Sequence, residues 1–204
     1  MNSAAIVLSG SHVRLEPLDR RHVEPLIAAG AGAGDLYAWS FVPQGEAQMR
    51  RYVADALALA VQGRAVPFAT IRQHDDTVVG ATRFFNLERW AWPADHPAGT
   101  SAYDTCEIGY TWLAPDAIRT AANTEAKFLM LTHAFETWRV RAVAFHTDAR
   151  NTRSRAAIER LGARFEGLLR AHRLAVDYTP RDSARYSIVA AEWPAVKDRM
   201  LGLL

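Results

Sequence analysis

The sequence predicts a mixed α/β fold in one domain, and three observations predict it. First, 204 residues with 50% hydrophobic and 23% charged side chains suit one globular core. A chain of this length buries roughly 70% of its unfolded surface on folding. Second, strand-like and helix-like periods follow one another as β-α-α-β-β-β-α-β-α-β-β-α. The strands come first in antiparallel array and are later joined by crossover helices, which makes a mixed sheet. Third, no repeat, linker or low-complexity segment interrupts that order, so one domain covers residues 1–204.

Each element has a local reason. Val13–Leu18 alternates apolar and polar side chains and reads as the first strand. Asp19 is a good N-cap for a helix over about Arg20–Ala29, which ends in the glycines of 30–34. A loop with Tyr37, Trp39 and Phe41 follows. Gly45–Gln62 places Met49, Val53, Leu57 and Val61 on one helical face. Val66–Arg72 and Thr77–Leu87 flank His74-Asp75-Asp76, a hairpin turn. Glu88–Asp104 is a long connection rich in Trp, Pro and Gly, of a length usually functional or mobile. In the strand Thr105–Leu113, alternation puts Cys106, Ile108, Tyr110 and Trp112 on one face and Glu107, Gly109 and Thr111 on the other. Asn123–Trp138 is a helix apolar on most sides. Arg141–Thr147 is a strand, and Asn151–Leu161 a helix stopped by Gly162. Ala163–Leu174 and Arg185–Ala190 form a hairpin around Asp177–Asp182, and Glu192–Leu204 closes the chain as a helix.

Composition excludes several classes. Gly and Pro, 12 and 9 residues, are too few for a disordered or fibrous chain. The lone Cys106 permits no internal disulfide and no multi-cysteine zinc site, and the seven histidines show no metal spacing. Met1–Ser11 lacks a basic region, and its apolar run Ala4–Leu8 is too short for a signal peptide. No window approaches the roughly 18 apolar residues of a membrane span. The expectation is a soluble cytoplasmic protein without a metal. Net charge is +2, but residues 150–173 hold seven Arg and two Glu. Such a cluster suits either a solvated helix face or an anion site.

Two strand–loop–helix junctions carry the chemistry. At the first, Tyr110–Pro115 leads through Asp116–Thr124 into the central helix, capped by Asn123 or Thr124. Small residues at 120–122 and 124 would let an anion approach the free backbone N–H groups of the helix N-terminus. At the second, Asn151 caps a helix among Arg150, Arg153 and Arg155. Consecutive βα units would place both junctions at one sheet edge.

The runs Glu107–Pro115, Arg119–Lys127 and Asp148–Ala163 resemble the GNAT superfamily of acyl-CoA N-acyltransferases, and within it the branch of the ribosomal-protein N-terminal acetyltransferases. The resemblance spans about Val13–Pro194. It implies a central, mostly antiparallel sheet with flanking helices, in which the fourth and fifth strands (105–113 and 141–147) form a splayed parallel pair. It implies acetyl-CoA or another acyl-CoA as cosubstrate. The coenzyme A pyrophosphate would lie on Arg119, Thr120, Ala121, Ala122, Asn123 and Thr124. This loop is a variant: Ile118 and small residues stand where the family has Gln or Arg and glycines. Backbone N–H groups do the binding, so small replacements are tolerable.

The same resemblance gives Leu113 N–H to the acyl carbonyl, Asn151 to the pantetheine arm and Ser154 to the departing thiolate as general acid. The plain alternative for Ser154 is a first-turn helix serine. Amide formation needs a neutral amine, hence a base, and Glu107 is the candidate. Its plain alternative is a cross-strand salt bridge, with Arg83 as a partner. Cys106 and His133 read as core. Trp39, Phe41, Arg83, Phe84 and Tyr178 are expected to wall the acceptor pocket. The reaction expected is acyl transfer to a primary amine, on a small molecule or a protein N-terminus, by direct attack in a ternary complex. The rival is a non-catalytic acyl-CoA sensor or an RNA- or ribosome-associated protein. The sequence lacks the basic–aromatic interleaving of single-strand binders, which points away from nucleic acid. Dimerisation fits this branch, although nothing in the sequence demands it.

Overall fold

The structure is a computed structural model that describes residues 6–32 and 34–204. The first part of the apolar run Ala4–Leu8, and Ala33 in the loop before the second helix, lie outside the described residues. The chain order is β1 (Leu8–Ser9), β2 (Val13–Pro17), α1 (Val23–Gly30), α2 (Gly45–Val61), β3 (Ala65–Arg72), β4 (Thr77–Glu88) and β5 (Thr105–Leu113). Then come α3 (Ala121–Thr132), β6 (Ala142–Asp148), α4 (Thr152–Leu161), β7 (Arg164–Leu174), β8 (Pro180–Val189) and α5 (Trp193–Leu201). Strand order in the sheet is β1-β2-β3-β4-β5-β6-β8-β7. β5 and β6 are parallel, paired at Thr105↔Ala142, Cys106↔Val143 and Glu107↔Ala144. The pairs β1/β2, β2/β3, β6/β8 and β7/β8 are antiparallel. The mixed sheet with one parallel pair is the architecture that the sequence predicts.

The chain divides into two compact units. The first runs to Phe84 and adds Gly109–Leu129. Here α1 packs on α2, and α2 on β3. Val13, Leu15, Leu26, Met49, Phe68 and Phe84 are fully buried in it. The short β1, which periodicity does not show, is fixed by a buried acid. The Glu125 carboxylate accepts from the backbone N–H groups of Ser11, His12 and Val13, each at 2.7 Å. A Cβ at Gly10 would meet that carboxylate and push it off its three donors.

The second unit comprises Phe85–Ile108 and Met130–Leu204. β6, β8 and β7 form its sheet, with α4 packed on β6 and on α5. Register sorts its two faces. Val143, Phe145, Tyr186 and Ile188 are buried on one. The opposite face carries His146 across from Arg185, Asp148 across from Ser183, and Ala144 across from Ser187.

Several boundaries differ from the expectation, each for a local reason. α3 starts at Ala121, not Asn123, because Thr120 Oγ1 accepts from Ala122 N–H (3.2 Å) and serves as the cap. The helix ends as a wider π-turn over His133–Trp138. Helix α1 is preceded by a 3-10 turn at Arg20–His22, where Asp19 and the His22 side chain cap each other. β8 begins at Pro180 rather than Arg185, because its polar first half pairs with β7 on backbone hydrogen bonds that apolar periodicity cannot reveal. The strict alternation of β5 fails at Tyr110, whose φ of +51° puts it out of phase; Tyr110 is half exposed while Trp112 is buried.

Candidate active site

In the second unit, Glu107 is the centre of a polar cluster. It lies on β5 and is 3% exposed. Asn86 Nδ2 donates to its Oε2 at 2.9 Å, and Arg173 Nη2 reaches the same oxygen at 3.2 Å. His146 Nδ1 stands 2.8 Å from Oε1, although its approach is out of line for a hydrogen bond. The salt bridge expected as the alternative therefore exists, with Arg173 and not Arg83 as partner. Two backbone irregularities build the cluster. Asn86 itself has φ +47° within β4, and Ala171, beside His172 and Arg173, has φ +47° at a register shift of β7. Left-handed backbone at a non-glycine costs about 1–2 kcal/mol per residue, and bulges of this kind re-aim neighbouring side chains. Cys106, next to Glu107, is buried; burial and then the Glu107 charge push its thiol up, which removes it as a nucleophile.

Asn151 caps α4 as expected: its Oδ1 accepts from Ser154 N–H at 3.0 Å. Ser154 is half-buried, one turn into the helix. The basic stretch around them is largely matched by partners. Arg150 binds Asp148 (2.8 Å) and Asp177 (3.1 Å), Arg155 donates to Tyr186 Oη (2.9 Å), and Arg164 pairs with Glu192 (2.8 Å). Tyr178 is 80% exposed at the tip of the β7–β8 hairpin. The long connection after β4 is ordered by one carboxylate. Asp104 accepts from Trp90 N–H and Trp92 Nε1, both at 2.8 Å, and from Arg141 Nε at 3.2 Å. Burial alone would raise the Asp104 carboxyl, but these donors outweigh it and hold it below the usual range.

In the first unit, Leu113 ends β5 and is buried, its carbonyl accepting from Tyr37 Oη at 2.7 Å. Gly80 lies against this strand end: a Cβ there would collide with the Trp112 carbonyl oxygen. From Leu113 the chain passes through a 3-10 turn (Pro115–Ala117) and turns at Arg119, φ +66°, into α3. The Thr120 hydroxyl donates to Ala117 O at 2.8 Å. Ala122 and Thr124 are buried, and Asn123 is half-buried. Two turns into α3, the buried Lys127 donates to Thr82 Oγ1 (3.0 Å) and Thr111 Oγ1 (2.7 Å). Burial pushes its ammonium down to about 7.

The expected pocket-wall residues separate by burial. Trp39 and Phe41 are exposed. Arg83 is buried, its guanidinium 4.0 Å from the Tyr110 ring centroid and 5.1 Å from that of Tyr52. Phe84 is corrected: it is fully buried, edge-on to Phe68 at 6.0 Å, and is core rather than wall. Sequence reasoning missed Asn86, His146 and Arg173 beside Glu107. A signal existed for His146, since the strand Arg141–Thr147 puts it on the face opposite Val143 and Phe145. For Asn86 and Arg173 there was none, because both depend on left-handed residues and register shifts. Lys127 was equally silent, since a lysine inside a helical run reads as surface.

Residues 12–164 match the family model for the acetyltransferase (GNAT) domain. A search of curated protein sequences gives no match. Among solved structures, a GCN5-related N-acetyltransferase from Brucella melitensis superposes with a TM-score of 0.82 at 27% identity, over 99% of this chain and 86% of that one. A protein assigned as an acetyltransferase from T. thermophilus matches with a TM-score of 0.79 at 32% identity, over 100% of both chains. RimJ of Mycobacterium smegmatis, solved in complex with CoA-disulfide, matches with a TM-score of 0.76 at 24% identity, over 98% and 92% of the two chains, and so shares the fold. The family model covers well over half of the sequence, and the chain belongs to the GNAT acetyltransferase family.

Proposed function

We propose that this protein is an N-acyltransferase that moves an acetyl or related acyl group from acyl-CoA to a primary amine. The observation that carries the reading is Glu107, a carboxylate 3% exposed that is held by a short polar network rather than buried for packing. A buried carboxylate is costly unless it is hydrogen-bonded, and a proton acceptor of this kind is what an amine nucleophile needs. Coenzyme A is the natural partner of the family, and the M. smegmatis relative was solved with it in disulfide form.

The residues at the two helix starts fit such a ligand. At α3, Thr120 shapes the first turn while Ala121 and Ala122 leave the backbone uncrowded for a pyrophosphate. At α4, Asn151 would bond the pantetheine arm. In the scheme, Glu107 takes the amine proton, the amine nitrogen attacks the thioester carbonyl, and Leu113 N–H polarises that carbonyl. As the tetrahedral intermediate collapses and the C–S bond breaks, Ser154 gives its hydroxyl proton to the thiolate and regains one from the nitrogen that becomes the amide. Arg150 and Arg155 are engaged elsewhere, so Arg119 is the better partner for the 3′-phosphate. Trp39, Phe41, Arg83 and Tyr178 remain the candidates for acceptor contacts. One domain, a cytoplasmic setting and an acceptor that is a small amine or a protein N-terminus complete the reading.

The test is a panel of amines, including peptides with free N-termini, with several acyl-CoAs, read by release of the CoA thiol. Turnover is expected with at least one pair. Glu107→Gln should lower kcat by roughly 100-fold or more while the affinity for CoA is kept. If CoA does not raise the melting temperature and no pair releases thiol, the reading fails.

A further inference from the structure

Beside Glu107, the second unit holds two histidines that this scheme leaves unused. His146, its side chain 5% exposed, stands 2.8 Å from Glu107 Oε1, and among the described residues neither of its ring nitrogens makes an aligned hydrogen bond. The His172 ring lies 5.0 Å from the His146 ring at 45°, and its buried Nδ1 is likewise unbonded. A neutral imidazole always carries one N–H, and leaving it buried and unpaired is unfavourable. Two adjacent rings in this condition, beside a buried carboxylate, are hard to explain as packing. The strand irregularity at Ala171 brings His172 and Arg173 to this place. Strain of that kind persists where the surroundings demand it, commonly at functional sites.

The surroundings are charged on every side. Glu107 faces His146 from β5. From β7 come Glu166, His172 and Arg173, and from β8 Arg181 and Arg185, the latter directly across the strand pair. Burial, then Arg173, His146 and Arg181, hold the His172 imidazole below its ordinary range, so it releases a proton readily.

We propose that His146 and His172 form a relay that carries the amine proton from Glu107 to solvent. This rests on the reading of Glu107 as the proton acceptor. The steps balance. The amine gives its proton to Glu107, which becomes a carboxylic acid. That acid passes the proton to His146 Nδ1, restoring the carboxylate and forming an imidazolium. Across ring centroids 5.0 Å apart, His146 Nε2 then gives up its proton to a ring nitrogen of His172 as the rings turn toward each other, His172 hands it to water or buffer, and a flip of the His146 ring restores its starting tautomer for the next cycle. No oxidant, reductant or further reactant is needed. Both histidines act through Glu107 and are positioning residues rather than groups that touch substrate. The half-buried His172 is the outer end.

Two measurements test the relay. With the amine and acyl-CoA found by the thiol-release panel, His146→Gln should lower kcat at least about tenfold with KM for acyl-CoA unchanged. Added imidazole should restore the rate. His172→Gln should act the same way, and Glu107→Gln should show no rescue. Wild-type kcat and pH profile in both histidine variants, or a loss that imidazole does not restore, overturns the relay. Retained turnover in Glu107→Gln overturns the acceptor reading instead, so the two failures are distinct. The second measurement needs no acceptor: the imidazole signals of the full chain are followed by NMR from pH 5 to 9. Coupled titration of His146 and His172, shifted by Glu107→Gln, is expected. Independent titration untouched by Glu107→Gln overturns the proposal.

Discussion

Lys127 makes the sharpest test of the structure, because its burial has a calculable consequence. The amine is enclosed on α3 and donates to the Thr82 and Thr111 hydroxyls, at 3.0 and 2.7 Å. Burial lowers it from an ordinary 10.5 to about 7. The folded chain therefore holds this proton less tightly than the unfolded chain does. Stability must rise with pH between about 7 and 10.5, and the cost is largest below pH 7, where both states are protonated. The full penalty is about 5 kcal/mol, and roughly half of it is relieved between pH 6 and pH 9. Lys127→Met removes the proton while leaving Thr82 and Thr111 hydrogen-bonded to each other at 2.8 Å. Urea unfolding of both proteins at pH 6, 7.5 and 9 isolates the effect, since every other titration cancels in the difference. The wild type should gain roughly 2–3 kcal/mol on the variant across that range. A difference that is flat, or that falls with pH, would refute the enclosure of Lys127.

Other consequences are simpler to state. Gly80→Ala forces a methyl group onto the Trp112 carbonyl and should cost about 1–3 kcal/mol in chemical unfolding and slow acyl transfer, since backbone at Leu113 must shift; unchanged stability would show that β4 does not approach β5 this closely. Glu125→Gln leaves backbone donors at residues 11–13 poorly matched and should cost at least about 3 kcal/mol, with β1 exchanging its amide hydrogens first; a loss below about 1 kcal/mol would contradict the three bonds. Asn151→Ala removes the cap of α4, for about 1 kcal/mol, and should raise KM for acyl-CoA more than it lowers kcat. Asp104 titrates below the usual carboxylate range when folded, so its contribution is present at neutral pH and lost as pH falls through that depressed value. Tryptophan fluorescence from Trp90 and Trp92 should change there, and Asp104→Asn should abolish that acid transition.

The sequence by itself determined the element order apart from the two-residue β1, the mixed sheet and the family. Those follow from local chemistry: alternation in Val13–Pro17, four-residue spacing in Gly45–Val61, Asn151 and Gly162 at the two ends of α4. The family motifs are contiguous runs, so one line of text holds them. Tertiary structure alone decided the company that each functional side chain keeps. Glu107 is conspicuous in sequence as an acid in a strand, yet its partners come from residues 86, 146 and 173, on three other strands. Register brings the second near, and left-handed residues at 86 and beside 173 aim the others. None of that is encoded in local propensity, because a register shift or a positive φ at a non-glycine is a choice made by packing. The same holds for Lys127, whose meaning changed from surface charge to buried amine only when α3 was set against two threonines. Charge gave the complementary lesson. The excess of arginine over residues 150–173 was visible in the sequence, but only the folded chain showed that Arg150, Arg155, Arg164 and Arg173 are each held by a partner. A desolvated or paired charge acts on its neighbour rather than on a distant ligand, and which of these a charge becomes is settled in three dimensions.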